Sequence, residues 1–270
     1  MAGMTMNLGF SSVDPVGHLK ELTDRIRKEP QRADLRIFLF QIYCVIGEWG
    51  KAANQLNAIE ELDKEAESLV KTYREAVRCE VYRKQVFAGQ RVPLILGDPQ
   101  NWIALMLEAL KLDAGGHHAQ AHELRGKALD EAPATPGTAN DQAFEWLADA
   151  DSRIGPMFEM IVNGKYYWVP MHRVEHLELD APADLRDYVW TPATVTLANG
   201  GAHVALIPTR YPGSEASDQD KIRLARVTEW VEMAPDSYAG LGQRMFATDD
   251  ADIALMDLRD LKFAEGASGG

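Results

Sequence analysis

Apolar residues in the first 130 positions recur at spacings of three and four, the period of an amphipathic helix. Leu19, Leu22 and Ile26 mark one helix over Val16 to Lys28, opened by Asp14-Pro15 as a cap and a first-turn proline. The run Leu35 to Ile46 is apolar on every side, so a second helix there is expected to lie between neighbours, with Asp34 as its N-cap and Gly47 at its end. Trp49 to Ile59 resumes with Ala52, Ala53 and Leu56, whose small members let two antiparallel helices approach closely. Glu65 to Ala88 reads as one long helix with Leu69, Tyr73, Ala76, Val77, Val81 and Val86 along one side, followed by a turn-rich connector from Arg91 to Pro99. The landmarks Tyr43, Gly47, Ala52 and Ile59 return 69 residues later as Leu112, Gly116, Ala121 and Ala128. This pattern of large residue, glycine, alanine and a further small or apolar residue resembles that of tetratricopeptide-type helix pairs, where glycine tightens the turn and alanine sits at the crossing.

After Pro133, Pro136 and Gly137 the period changes from helical to alternating. Met157 to Val162 and Lys165 to Val169 flank Asn163-Gly164, a dipeptide suited to a type I′ hairpin because both positions accept positive φ. Thr194 to Leu197 and His203 to Ile207 flank Asn199-Gly200-Gly201, and Arg244 to Thr248 and Ile253 to Leu258 flank Asp249-Asp250. Val174 to Leu179 and Val227 to Met233 read as further strands, and Asp218 to Ala225 as a short helix. The expected fold class is α+β: a tetratricopeptide-like helical region over 1–134, then a mainly antiparallel β-sheet domain with few helices over 140–264, then a disordered tail over 265–270.

Composition narrows the function classes. The net charge of −13 is uneven: residues 1–130 carry 17 Lys and Arg against 18 Asp and Glu, while 131–270 carry 11 against 23. With no basic face to displace counterions, nucleic acid is not an expected partner, and an acidic C-terminal half favours basic protein partners through encounter rate. Met1 to Ser12 shows neither a basic leader region nor an apolar one, and no later run approaches the length of a membrane span, so a cytoplasmic location with no membrane partner is expected. Cys44 and Cys79 stand apart in helical segments and read as buried thiols.

Candidate chemistry is sparse. Asp149, Asp151 and Glu159 lie near His172 and His176 in sequence and could ligate a divalent cation for a metal-dependent hydrolase; Arg153 beside them makes salt bridging the stronger reading. His118 and His122 are i,i+4 neighbours without the intervening Glu of a zinc-protease helix, and read with His117 as a solvated helix start. Ser214 lacks the second glycine of a nucleophile elbow, and Gly240-Leu241-Gly242-Gln243-Arg244 lacks a phosphate-loop ending. No catalytic residue, cofactor or resident metal is expected from these motifs. What stands out is aromatic and cationic: Trp146, Tyr166, Tyr167, Trp168, Trp190, Tyr211 and Trp230 with Arg153, Arg173, Arg186, Arg210 and Arg244, residue types that serve both small β cores and interface hot spots. Alternation puts Tyr166 and Trp168 on one face of their strand and Tyr167 on the other.

These motifs are where the chain becomes recognisable. Phe144 to Pro156, Asn163 to Pro170, Asp184-Leu185-Arg186-Asp187 with Trp190, Pro208 to Ser214 and Gly240 to Arg244, together with Gly47-Glu48-Trp49 and Arg83 to Gly89 upstream, resemble the ImpE family over about residues 15–263. The resemblance implies a bacterial type VI secretion accessory protein: a non-catalytic adaptor that binds an N-terminal helix of the small sheath subunit and links contracted sheath to the ClpV AAA+ ATPase. On that reading Trp146, Asp149, Asp151, Arg153, Tyr167, Trp168, Arg210, Tyr211 and Arg244 are the family-motif candidates. The apolar segment Leu35 to Leu56 suggests a groove for an amphipathic helix, with Phe38, Ile42, Tyr43, Trp49 and Leu56 as candidate contacts.

Overall fold

A computed structural model describes residues 14–264; the expectations for the Met1 to Ser12 segment and for the tail fall outside the described residues. Six helices come first: α1 (Gly17–Lys28), α2 (Ala33–Val45), α3 (Trp49–Leu62), α4 (Glu67–Phe87), α5 (Asn101–Ala114) and α6 (His118–Glu131). The Asp14 carboxylate accepts from the Gly17 N–H at 2.7 Å, closing the first turn of α1. α2 begins one residue before Asp34, which sits in the first turn and pairs with Arg32 instead of capping.

The 69-residue recurrence is visible in the backbone. Gly47 and Gly116 take left-handed φ values of 71° and 79°, and behind them the Glu48 and His117 N–H groups donate to the Tyr43 and Leu112 carbonyls, each at 2.9 Å. Ala52 and Ala121 are fully buried where α3 meets α2 and α6 meets α5. A side chain larger than methyl at either alanine would push the two helices of its hairpin apart.

The remaining chain is mostly strand. β1 (Leu94–Ile95), inside the stretch expected to be a plain connector, lies parallel to β6 (Lys165–Pro170). All other pairings are antiparallel. β2 (Gly137–Ala139), β3 (Gln142–Phe144), β5 (Met157–Val162), β7 (Val174–Leu179), β8 (Trp190–Leu197), β9 (Ala202–Pro208) and β14 (Asp260–Phe263) complete a nine-stranded sheet ordered β1-β6-β5-β9-β8-β7-β14-β2-β3. β4 (Leu147–Asp149), β12 (Met245–Thr248) and β13 (Asp252–Ala254) form a second sheet, β10 (Thr228–Ala234) and β11 (Ser237–Gly242) a two-stranded ribbon, and α7 (Asp220–Arg223) a single turn between. Asn163 and Gly164 have φ of 49° and 71°, the positive pair that a type I′ turn needs.

Both faces of the large sheet are covered. Met157, Ile161, Tyr166, Trp168 and Trp190 join the helices in one hydrophobic cluster, which includes Phe40, Leu56, Val70, Val86 and Met106. Phe158, Met160, Val169, Val195 and Ile207 face the other way, into a cluster with Phe246, Leu255 and Leu261. The change from helix to strand falls between Glu131 and Gly137, yet the first cluster runs across it without a break. Along α4 the buried positions are Val70, Ala76, Val77, Cys79, Glu80, Arg83 and Val86, whereas Val81 is 46% exposed. The apolar stripe expected there is therefore rotated, because two charged residues occupy the inner face and meet partners on the sheet.

Candidate functional site

Alternation along β5 decides where the charges meet. With Phe158 and Met160 turned to the second cluster, Glu159 points to the helices, opposite Arg83 of α4. Its carboxylate accepts from Arg83 Nε at 2.6 Å and Nη2 at 2.8 Å, a bidentate pair with both side chains at least 96% buried. Arg244 and the Tyr166 hydroxyl donate to the same carboxylate, and Trp168 Nε1 donates to that hydroxyl at 2.7 Å. Arg244 also holds Asp149, whose carboxylate accepts from the Tyr211 hydroxyl at 3.0 Å and the Asp151 N–H at 2.9 Å. Asp151 takes the Arg153 guanidinium and the Gly240 N–H, the latter at 3.0 Å. At the helical end, Glu80 lies 3.5 Å from Arg83 and accepts from Trp190 Nε1 at 2.9 Å. Arg210 reaches α2 and donates to the Val45 and Cys44 carbonyls at 2.6 and 2.8 Å, filling acceptors at that helix's C-terminus.

One lattice thus stitches α2 and α4 to β4, β5 and the segments that follow β9 and precede β12. Such charges are tolerable inside a protein only when paired and hydrogen-bonded. Burial pushes the Glu159 acid up, but Arg83 and Arg244 overcome it and hold the group at about 2. Asp149 goes the other way: burial, aided by the like charges of Asp151 and Glu159, carries it to about 7 against the pull of Arg244. The difference follows from partner number, since Glu159 faces two guanidinium groups and Asp149 one.

The metal reading of Asp149 and Asp151 does not match this geometry. Asp149, Asp151 and Glu159 are each engaged by arginine, and none joins a cluster with His172 or His176. His172 lies elsewhere, in a cleft of about 430 Å³ with Leu96, Gly97, Arg173 and Leu197, and burial lowers its pKa. His176 joins Glu178 and Asp260 on β7 and β14, the one group among the described residues with three ligand atoms within 4.8 Å of one another. Asp260 there already binds the Lys262 ammonium at 2.7 Å. His118 pairs with Asp113 at 3.0 Å. Ser214 is buried, donating to the Tyr211 carbonyl at 2.6 Å and accepting from Gly242 N–H at 2.8 Å. Cys44 and Cys79 are free and buried.

The surface candidates divide sharply. Ile42 and Leu56 are fully buried within the helical core, so a partner cannot reach them without opening it; Phe38, Tyr43 and Trp49 are half-buried and pack on the same cluster. Of the family-motif residues, Asp149, Asp151, Trp168, Arg210, Tyr211 and Arg244 are interior, while Arg153 and Tyr167 are half-buried. Trp146 is 40% exposed. Arg83 and Glu80 were not among the site candidates read from the sequence, and Glu159 was read only as a possible metal ligand. The only signal for them was a charge at a position where periodicity asked for an apolar residue.

Helical hairpins joined to a two-faced antiparallel sheet, with the interior carboxylates held by arginines, define an α+β scaffold whose charged motif residues lock its parts together. Comparison with known proteins gives that scaffold a family. The family described as ImpE protein matches residues 141–262. A Pseudomonas aeruginosa protein named type VI secretion system accessory component TagJ is 51% identical over 245 residues, covering 91% of this chain and 86% of that one. The chain belongs to the ImpE family. The crystal structure of protein VPA1032 from Vibrio parahaemolyticus shares the fold, with a TM-score of 0.85 at 24% identity over 93% of this chain and 94% of that chain.

Proposed function

We propose that this protein is a non-catalytic accessory adaptor of a bacterial type VI secretion system. In this role it binds an N-terminal helix of the small sheath subunit and links contracted sheath to the ClpV AAA+ ATPase in the cytoplasm. The observation that carries the reading is the match to TagJ, which runs through the helical region as well as the sheet and leaves little of the chain outside it. The buried lattice supports it. Asp149, Asp151 and Glu159 are held by arginine, so the charged motif residues serve as internal fastenings that keep exposed surfaces in a fixed relation. Phe38, Tyr43 and Trp49 keep accessible edges and remain one candidate seat for a partner helix. Among the described residues no helix is long and apolar enough to cross a membrane.

Calorimetric titration of the full chain with a synthetic peptide of the sheath subunit's N-terminal helix tests the proposal. Saturable binding at micromolar concentration is expected; no heat of binding at high micromolar peptide overturns it.

A further inference from the structure

A cleft of about 430 Å³ opens where the connector between β1 and α5 meets the sheet, and none of the lattice residues lines it. Leu96, Gly97 and Gln100 face it from the connector. His172 and Arg173 enter from the single turn that follows β6, and Leu197, Ala198 and Asn199 from the end of β8 and its turn into β9.

The polar groups of this cleft are short of partners. His172 is only 7% exposed and packs edge-on against Trp102, ring centroids 6.1 Å apart, yet its imidazole makes no hydrogen bond among the described residues. Burial and the neighbouring Arg173 lower its pKa, so at neutral pH the ring is uncharged and offers one N–H donor. The Arg173 guanidinium lies against Gly97, where the missing side chain admits it: a Cβ at that position would stand 1.4 Å from Nη1. Nη2 donates to the Asp98 carbonyl at 2.6 Å, whereas Nε is buried without an acceptor, and no carboxylate pairs with the cation among the described residues. Native interiors leave few donors unmet.

The helix at the edge of the cleft adds to the donor set. α5 is 14 residues long and starts directly after Gln100, which gives it no side-chain cap; the Gln100 Oε1 accepts from Trp102 Nε1 at 2.7 Å instead. The Asn101 and Trp102 N–H groups have no acceptor among the described residues, and the positive end of the helix dipole is left open.

Charge selects the ligand. In a chain of net charge −13, no described residue lining this cleft is acidic. A guanidinium, a neutral imidazole N–H and an uncapped helix N-terminus suit a head group with several acceptor oxygens, which is what a phosphate provides. The cleft is also within the range of small-molecule sites, about 300–1,000 Å³, so the ligand has a body beyond its charged head, and Leu96 and Leu197 supply apolar walls for it.

We propose that this cleft binds a small phosphate monoester, its phosphate held by Arg173, His172 and the N-terminus of α5 and its apolar body lying between Leu96 and Leu197. The proposal does not depend on the adaptor role.

The experiment is calorimetry and proton NMR of the full-length protein with phenyl phosphate, inorganic phosphate and benzoate, for wild type, Arg173→Gln and His172→Phe. Phenyl phosphate is expected to bind wild type saturably at one site with a dissociation constant of about 0.1–1 mM. At ten times that concentration it should raise the melting temperature by about 3 °C. Inorganic phosphate and benzoate should each bind about tenfold more weakly, the first for want of a body and the second for want of acceptor oxygens. The imidazole signals absent from the His172→Phe spectrum belong to His172, and they should move as phenyl phosphate is added. Arg173→Gln should weaken binding about tenfold, and His172→Phe, which keeps the contact with Trp102, about threefold. If Arg173→Gln melts well below wild type, Arg173→Lys, which keeps the charge and loses the fork, is measured in its place with the same expectation of weaker binding. No heat and no movement of the His172 signals at about 10 mM phenyl phosphate overturns the proposal, and so does binding that the Arg173 variant leaves within about twofold. Benzoate binding as tightly as phenyl phosphate overturns the phosphate assignment, and inorganic phosphate doing so overturns the seat between Leu96 and Leu197.

Discussion

Glu159→Gln is the sharpest perturbation of this scaffold. The substitution keeps volume and one acceptor oxygen but removes the charge facing both Arg83 and Arg244, whose side chains are 4% and 1% exposed. Arg83 keeps Glu80 and the Arg210 carbonyl, and Arg244 keeps Asp149, so neither guanidinium is orphaned; the interior nevertheless gains one uncompensated positive charge. Breaking a buried pair from one side costs roughly 3–5 kcal/mol. The fall of the Glu159 pKa from 4.5 to about 2 gives a separate figure on the order of 3 kcal/mol, at 1.36 kcal/mol per unit. For a chain of this size that is a drop in Tm of about 6–20 °C. Urea unfolding followed by the emission of buried Trp168 and Trp190 measures it directly, and the double variant Arg83→Met/Glu159→Gln should recover part of the loss by removing one of the two guanidinium groups that face position 159, and with it the uncompensated charge. A loss below about 1 kcal/mol would refute the reasoning, because it would mean that water screens the lattice as it does a surface pair.

The same interior sets four further outcomes. Asp149 titrates near 7 in the fold and near 3.8 in a free chain, so the stability it contributes is full below 3.8 and is lost as pH rises through 7; Asp149→Asn should therefore look more favourable relative to wild type at pH 8 than at pH 5, by on the order of 3 kcal/mol in urea titrations, since about two pH units of that loss lie between 5 and 7. Glu159 has the opposite sign: its contribution is present above 4.5 and is lost as pH falls toward 2, so Glu159→Gln should flatten the acid limb of the unfolding curve. Burial pushes both thiols up, Cys79 to about 12, so thiol reagents at pH 8 should label neither cysteine in the native protein and both in denaturant. A truncation ending near Pro133 should be poorly soluble and lack cooperative melting, since it strips Trp168, Trp190 and Tyr211 from the cluster that buries Phe40, Val70 and Val86.

Local rules were enough to read the elements from the sequence. The spacing of Leu19, Leu22 and Ile26, the glycines at 47 and 116 and the Asn163-Gly164 pair each act within a few residues, where helix period, left-handed backbone and turn type are decided. Together with the family motifs these signals carried the α+β class and the antiparallel sheet. The short strands β1, β3 and β14 were not legible, because two to four residues carry no period of their own and pair only where a neighbouring strand edge is presented to them.

What only the tertiary structure decided is the side on which each residue works. Glu159 and Arg83 are 76 residues apart and become partners because β5 turns odd-numbered side chains toward α4; no local pattern encodes that meeting. The motif residues Asp149, Asp151, Arg210 and Arg244 read equally well from sequence as ligands, interface or core, and burial settled them as core. Ile42 and Leu56 follow the same logic, since an apolar residue in a helix states that it will be covered but not by what. Sequence determines which side chains must leave water, whereas their partners are set by packing between distant elements, where charge compensation and shape act over the whole fold.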